Sequence, residues 1–311
     1  MNSKKFTVGK LAALAVIIAG VFWGSSCLFV NVLSKDYGFT SIQSTAIREL
    51  FAALMLNIAL IIKGRGFKYY KISLGSYALA AVTGVFCVLA MSVLYYSCMI
   101  ETSAAVAVIL LYTAPIFVMI MSLIFFKERL TVKKVIAFIF AIVGCALVSG
   151  ILSGSKMSLW GIFVGVLSGF SYSLYGIMAS AFMKKNDEPL TFSALSFLFA
   201  SVVAVCISSP WDIVSKTAER GTPVLSIIFF MLFGFCTAVA PFALYTWGLS
   251  GVKPVTASIL AFSEPVTGCI FGVVALGQDI DAFGILGIIS VCFAILILNI
   301  SFKGKKTRKE S

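Results

Sequence analysis

The sequence predicts an all-α membrane protein that crosses the bilayer many times, and three observations support this fold class. The chain has 311 residues, of which 60% are hydrophobic and only 12% are charged, whereas soluble domains usually carry about 25% charged residues. Apolar runs of roughly 20 residues, the length of a helix that spans a bilayer, recur along the chain. Basic residues collect between these runs. Because lipid offers the backbone no hydrogen bonds, the runs are expected to be helical.

Ten apolar runs are long enough to span the membrane. The first follows Lys4, Lys5 and Lys10 and continues to Leu33. It is longer than the apolar core of a signal peptide and has no clear cleavage site, so it is interpreted as a spanning helix. The expected spans are 11–33, 41–62, 73–96, 102–126, 132–150, 159–182, 191–209, 225–247, 255–276 and 282–302.

Lys and Arg are distributed unequally between the two sides that ten spans define. Nineteen lie in the N-terminal segment, in alternate connections and in the C-terminal tail, and four lie in the other connections. Since basic residues concentrate on the cytoplasmic side, both termini are expected there, in a multi-pass protein of the cytoplasmic (inner) membrane. Topology thus accounts for the net charge of +12, and no nucleic-acid partner is expected.

The composition argues against several other classes of protein. The chain has eight cysteines, all within apolar runs, and no histidine, so no metal site, cofactor or disulfide framework is predicted. A membrane-embedded enzyme, which typically uses His, paired Asp or a Ser with a base, is a weak alternative. A non-transporting receptor or assembly protein is another. No phosphate-binding glycine loop is present to drive transport with ATP.

The two halves of the chain match when the sequence is shifted by 150 residues. Pro115 then aligns with Pro265, which predicts two repeats of five helices, at 1–150 and 151–311. A unit with an odd number of spans is followed by an inverted copy, and inverted repeats around a central site are typical of secondary transporters. The first span of each repeat also has small residues four apart, which permit close helix packing: Gly20 and Gly24, and Gly165 and Gly169.

Three motifs resemble the EamA branch of the drug/metabolite transporter superfamily. They are FWGSS in the first span, YTAPIFVMIMSLIFFKERLT across the fourth and fifth, and SEPVTGCIFGVVALGQDI across the ninth and tenth. The resemblance covers essentially the whole chain and departs from the family pattern at Gln278, where Glu is common. It implies a ten-helix carrier of small metabolites around a central cavity, often an exporter in the bacterial inner membrane. It does not identify the substrate.

Glu264 is the only charged residue of the ninth predicted span, and Pro265 follows it directly. A carboxylate near the bilayer midplane is costly and normally faces a wet cavity or a partner. One interpretation is a neutral Glu264 that donates to the carbonyl of Ala261, which Pro265 cannot reach because it lacks an N–H. The other is a cavity carboxylate that binds a substrate amine or carries a coupling proton.

Aromatic side chains of these spans are expected to line the cavity, because a ring can hold a cation on its face. The deepest are Trp23, Tyr112 and Tyr172, and the further candidates are Tyr95, Tyr175, Tyr245 and Trp247. The prolines Pro115 and Pro265 are expected to kink their helices and so help to gate the cavity.

Arg48 and Glu49 lie about one third of the way along the second span. Neighbouring residues do not face each other on a helix, so one of the two must point elsewhere. Arg48 is expected to extend to the outer interface.

These observations predict a secondary transporter of small polar metabolites that works by alternating access. Its preferred substrate is an amine or a zwitterion such as an amino acid, with export as the expected direction. Sugars and vitamins stay open as substrates. The direction, coupling to protons, and a monomeric or dimeric state are also left open.

Overall fold

The computed structural model describes residues 2–101, 107, 110–127, 131–148, 158–185, 188–276 and 282–299, and every regular element in these ranges is helical. Glu128, Arg129, Gln278 and the basic tail lie outside the described residues. The main helices are α1 (Asn2–Gly24 and Ser26–Lys35), α2 (Ser41–Gly64), α3 (Leu74–Val82, Thr83–Leu89 and Ala90–Glu101), α4 (Ala114–Phe126), α5 (Val132–Val148), α6 (Leu159–Met183), α7 (Pro189–Ile207), α8 (Pro223–Gly234, Phe235–Val239 and Ala240–Gly248), α9 (Pro254–Leu260 and Ser263–Leu276) and α10 (Ala282–Asn299). A short surface helix, Pro210–Glu219, lies between α7 and α8.

Seven helices in the described part of the chain are long and apolar enough to cross a membrane by length and composition. They are α1, α2, α3, α6, α7, α8 and α9, while the apolar segments in α4 and α10 are shorter. The prediction of an all-helical, multi-pass membrane protein is therefore confirmed over these residues. The count of ten spans stays a prediction, because parts of the fourth, fifth and tenth predicted spans lie outside the described ranges.

Local sequence signals define the starts of α2 and α7. The Thr40 hydroxyl accepts the N–H of Gln43 at 3.3 Å, and the Gln43 side chain accepts the N–H of Thr40 at 3.0 Å, which is a capping box at the start of α2. Glu188 caps α7 by accepting the N–H of Leu190 at 3.1 Å. The same carboxylate pairs with Lys63 at 2.7 Å, which ties the start of α7 to the end of α2.

The third helix of each predicted repeat contains a π-helical segment at nearly the same place. Thr83–Leu89 interrupts α3 and Phe235–Val239 interrupts α8, and the shift of 150 residues carries the end of the first segment onto the end of the second. Such segments are rare and often lie at functional sites. Both helices carry the same local irregularity, which supports the repeat that the prolines suggest.

The shift of 150 residues also relates the pairs of helices that pack against each other: each pair in one half has a counterpart with the corresponding helices. Helix α1 packs against α8 and α9, and α6 packs against α3 and α4. We refer to α1, α8 and α9 as the first group and to α3, α4 and α6 as the second group. Helix α2 packs against α7 and α5 against α10. This pattern is what a two-fold repeat produces, whereas the inverted orientation of the halves stays a prediction.

The spaced glycines lie where the two first helices of the repeats meet their partners. A methyl group on Gly24 of α1 would lie 2.7 Å from the carbonyl oxygen of Glu264 in α9, and one on Gly20 would collide with Ser263. In α6, a methyl group on Gly169 would lie 2.7 Å from the Thr113 hydroxyl and 2.8 Å from the carbonyl oxygen of Leu110. The close packing that the spacing predicts is therefore present in both groups.

Candidate functional site

The prolines mark interruptions rather than bends within continuous helices. A two-residue turn at Ala261 and Phe262 divides α9, and Pro265 lies in the first turn of the second segment. Residues Tyr112 and Thr113 form the corresponding turn before α4, where Pro115 is the second residue. Proline is tolerated in the first turn of a helix, where its missing N–H would have no intrahelical acceptor. The expected kinks are thus complete breaks, and the two breaks correspond in the two halves.

The side chain of Glu264 meets the opposite break. The Tyr112 hydroxyl donates to the Glu264 Oε2 at 2.6 Å, and the Tyr112 ring packs on Phe262 with centroids 4.4 Å apart. Tyr112 is 1% exposed, whereas Glu264 is partly exposed. The Glu264 carboxylate is therefore held by a buried tyrosine, in a residue that the protein does not enclose completely.

The carbonyl of Ala261, which Pro265 leaves without its usual donor, is satisfied by the backbone. The N–H of Glu264 donates to it at 3.0 Å, and the Tyr112 hydroxyl lies 3.5 Å away. The described hydrogen bonds include none from the Glu264 carboxyl group to this carbonyl. Because the turn itself supplies the donor, the structure gives no support to the interpretation in which Glu264 repairs the break with its side chain.

Four of the predicted aromatic residues form one cluster with Trp23 at its centre. The Trp23 ring lies 6.1 Å from Tyr172, 5.2 Å from Phe242 and 5.5 Å from Tyr245, measured between centroids. Tyr175 joins through Phe242 at 4.9 Å. Trp23 and Tyr245 belong to the first group of helices, and Tyr172 and Tyr175 belong to the second group. The cluster therefore lies across the contact between the two groups.

The hydroxyl groups of the two α6 tyrosines differ in their surroundings. Tyr175 makes hydrogen bonds with Ser193 at 3.0 Å and Thr246 at 2.9 Å, which fix its ring between α7 and α8. The buried hydroxyl of Tyr172 has no hydrogen-bond partner among the described residues. Tyr172 can therefore donate to a ligand without breaking an existing contact, whereas Tyr175 acts mainly as a packing residue.

Two predicted site residues, Tyr95 and Trp247, join neither this cluster nor the contact between Tyr112 and Glu264. Tyr95 packs in a separate set of side chains with Cys98, Ala107 and Val164. Trp247, although it follows Tyr245 by only two residues, has a side chain that is 43% exposed. Positions two apart on a helix point in different directions, so only Tyr245 reaches Trp23.

Sequence reasoning missed three residues of the cluster. Phe242 contacts Trp23, Tyr175 and Phe197, but nothing in the sequence distinguishes it among 28 phenylalanines. Ser193 and Thr246 bind Tyr175 and are equally common residue types. Their roles depend on which helices are neighbours, and a single sequence does not report this.

The structure contradicts the prediction for Arg48. Its side chain is only 11% exposed and its Nη2 donates to the Ser92 hydroxyl of α3 at 2.7 Å. Glu49 is completely buried, with its Oε1 3.5 Å from the Arg48 Nη2. Both side chains thus point into the protein, because α3 and α8 cover this face of α2. The charged pair in an apolar span was a signal of a buried polar site that the sequence provided. The prediction that Arg48 extends to the outer interface was wrong.

An open cavity of about 520 Å³ lies between the end of α6 and the connection from α8 to α9. It is lined by residues of both groups, among them Ser180, Lys184 and Lys253. Lys184 and Lys253 belong to the segments that the distribution of basic residues assigns to the cytoplasmic side.

Comparison with known proteins agrees with this architecture. The sequence profile of the EamA-like transporter family matches twice, at residues 10–150 and 159–300. The chain is 25% identical over 300 residues to the uncharacterized transporter YwfM of Bacillus subtilis (strain 168), covering 96% of this chain and 97% of the relative. The uncharacterized transporter YoaV of the same organism is 22% identical over 298 residues, with 94% and 98% covered.

A solved crystal structure superposes on this chain with a TM-score of 0.74 at 15% sequence identity, covering 93% of this chain and 97% of the other. At this identity the likeness shows a shared fold alone. The family profile, in contrast, covers most of the sequence in two consecutive matches. The chain is an integral membrane protein and belongs to the EamA-like transporter family.

Proposed function

We propose that this membrane transporter is a secondary carrier of small polar metabolites, with amines or zwitterions such as amino acids as substrates and export from the cytoplasm as its direction. The observation that carries the proposal is the carboxylate of Glu264, held at 2.6 Å by Tyr112 where the two helix breaks meet. A carboxylate in an apolar span, close to buried aromatic residues such as Tyr112, suits a positively charged group. Membership in a transporter family favours this function over the enzyme and receptor alternatives.

The proposed path runs between the two groups of helices. Tyr112 lies in the turn before α4, which belongs to the second group, and Glu264 belongs to the first group, so their hydrogen bond joins the two groups. Close glycine packing holds each group together internally. In this proposal the two groups are the halves that rock against each other, within two inverted five-helix repeats, and the cavity at Lys184 and Lys253 is the cytoplasmic entrance.

Glu264 has one of two roles in the proposed cycle. It binds the ammonium group of the substrate, or it takes up the coupling proton. In both cases the incoming group competes with the Tyr112 hydroxyl for the same carboxylate oxygen. Release of the Tyr112–Glu264 bond then accompanies loading of the site.

Transport by Glu264→Gln tests the proposal. Purified wild-type protein and variant are reconstituted in proteoliposomes, and uptake of a panel of labelled amines and amino acids is measured between about pH 5.5 and 8.5. Glutamine keeps a donor and an acceptor but neither titrates nor carries charge, so we expect a large loss of transport or of its pH response at normal expression. Glu101→Gln, at an exposed position, is the matched control and should transport normally. Wild-type rates and unchanged pH dependence in Glu264→Gln would mean that Glu264 is structural.

A further inference from the structure

A second polar cluster lies in α2, apart from the residues used above. Thr45, Arg48 and Glu49 are three and four residues apart, so their side chains share one helix face. Ser92 of α3 completes the cluster by accepting from Arg48 at 2.7 Å and donating to the carbonyl of Val88 at 3.0 Å. Thr45 and Ser92 are 1% and 2% exposed. The cluster is thus enclosed by protein rather than placed at the lipid interface.

The cluster has more hydrogen-bonding capacity than its described neighbours satisfy. Both carboxylate oxygens of Glu49, the Nε of Arg48 and the hydroxyl of Thr45 are buried, and none of them has a hydrogen-bond partner among the described residues. The Arg48–Glu49 distance of 3.5 Å is longer than the 2.7–2.9 Å of a charge-assisted hydrogen bond. Buried polar groups are almost always paired, and a buried ion pair is favourable only when its remaining atoms are satisfied. The described residues therefore leave donors and acceptors of this cluster available to a further polar group.

The charges of the cluster define the chemistry of that group. A simple cation is attracted by Glu49 and repelled by the adjacent Arg48, whereas a simple anion is attracted by Arg48 and repelled by Glu49. Because the two side chains are only 3.5 Å apart, the attraction and the repulsion largely cancel for either ion. A molecule with both charges can satisfy both side chains. Its ammonium group supplies donors for the two Glu49 oxygens, and its carboxylate supplies an acceptor for the Arg48 Nε.

We infer that Arg48 and Glu49 bind the charged end of a zwitterionic substrate, with the ammonium group at Glu49 and the carboxylate at Arg48. The inference rests on the proposed carrier function and narrows its substrate class from amines or zwitterions to zwitterions. It also assigns Glu49 and Glu264, two carboxylates within apolar spans, to different tasks. The ammonium group is bound by Glu49, which leaves the Glu264 carboxylate for the proton.

Binding of matched solutes tests the assignment. Leucine is compared with isoamylamine, which lacks the carboxylate, and with 4-methylpentanoate, which lacks the ammonium group. Phenylalanine, phenethylamine and 3-phenylpropanoate form a second set, and the twenty amino acids extend the zwitterion panel. Affinities are measured on purified protein by calorimetry for the wild type, Arg48→Gln, Glu49→Gln and the double variant. Lys63→Gln/Glu188→Gln neutralises the ion pair between α2 and α7, whose side chains are 53% and 14% exposed, and serves as the control.

We expect the wild type and the control to prefer a zwitterion over its amine and acid. Each single variant should bind that zwitterion at least about thirtyfold more weakly, the low end of the effect of truncating one partner of a buried charge pair. Glu49→Gln, which leaves Arg48 uncompensated, should shift the preference to the acid, and Arg48→Gln should shift it to the amine. If a single variant does not fold, zwitterion binding by the double variant tests the inference instead, because neutralising both partners of a buried pair is often tolerated. A folded double variant should not bind the zwitterion.

Three results would overturn the inference: no zwitterion of the panel binds the wild type in preference to its amine and acid, the variants keep the wild-type charge preference, or the double variant binds the zwitterion normally. The last result would indicate that water alone completes the cluster.

Transport assays on the same preparations separate the two proposals. If solutes are transported and the rate depends on Glu264, the carrier function holds even when the assignment of Arg48 and Glu49 fails. If no solute of the panel is transported, the carrier function itself fails.

Discussion

Replacement of Gly24 by alanine tests whether the contact between α1 and α9 holds the site together. The added methyl group would lie 2.7 Å from the carbonyl oxygen of Glu264, 2.7 Å from the Thr267 Cβ and 2.9 Å from the backbone nitrogen of Gly268. Two of these three atoms belong to the backbone, so no side-chain rotation removes the clash. Helix α1 must withdraw by roughly 0.8 Å to restore an ordinary contact of about 3.5 Å.

The expected cost follows from two opposing effects. Overpacking a well-packed interface costs about 1–3 kcal/mol, whereas replacing glycine by alanine within a helix gains about 0.5–1 kcal/mol. The net loss of stability is therefore on the order of 1–2 kcal/mol. Transport should also fall, because the displaced segment of α9 carries Glu264.

The measurement is thermal unfolding of purified protein in detergent, together with transport in proteoliposomes. Gly9→Ala, in the same helix, is the matched control, since its added methyl group would lie 4.0 Å from the carbonyl oxygen of Gly251, an ordinary contact distance. Gly169→Ala should reproduce the effect in the second group, where the methyl group meets Thr113 and Leu110. If Gly24→Ala is as stable and as active as Gly9→Ala, the glycine contact does not hold α9 in place and the reasoning is refuted.

Three further predictions concern the site, the surface and the topology. Tyr112→Phe removes the hydroxyl that donates to the α9 carboxylate, so the protein should fold and transport should change in its pH response; an unchanged pH profile would contradict this. The Asp212 carboxylate accepts hydrogen bonds from Lys216 and Gln43, which lower its pKa. Its contribution to stability should be present above the unfolded value of about 3.9 and be lost as the pH falls through the lower folded value; an NMR titration midpoint at or above 3.9 would refute this. A reporter that is active only outside the cell, fused after Ser311, should stay silent, and its activity would overturn the cytoplasmic assignment of both termini.

The positions of the helices and their breaks were largely predictable from the sequence, because they depend on local properties. Apolar length defines a span wherever it occurs, and the missing N–H of Pro115 or Pro265 disturbs its own helix whatever surrounds it. Glycines four apart permit close packing before the partner helix is known. These features explain why the helical class, the places of the two interruptions and the tight contacts of Gly24 and Gly169 could be inferred, although the sequence predicted kinks where the structure has breaks.

The partners of individual side chains were not predictable in the same way. Tyr112 and Glu264 are 152 residues apart in the chain, and only the packing of α4 against α9 brings them together. Arg48 illustrates the opposite failure. A long basic side chain in the outer third of a span reaches the interface if that face of the helix is open, and α3 and α8 close it here. The orientation of a charged residue in a membrane helix thus depends on which neighbours cover it.

The place of Glu264 beside Pro265 follows from these contacts. The break before Pro265 brings backbone atoms of α9 close to Gly20 and Gly24 of α1. It also turns the Glu264 side chain toward the corresponding break at Tyr112. A hydrogen bond to a carboxylate contributes about 1.5–3 kcal/mol, which corresponds to a shift of about 10- to 150-fold in an equilibrium between two arrangements. In the proposed transport cycle, a proton or an ammonium group that displaces Tyr112 would act on an equilibrium of this size between two arrangements of the helix groups. In that proposal the position of Glu264 matters because it combines a helix break with a hydrogen bond from Tyr112.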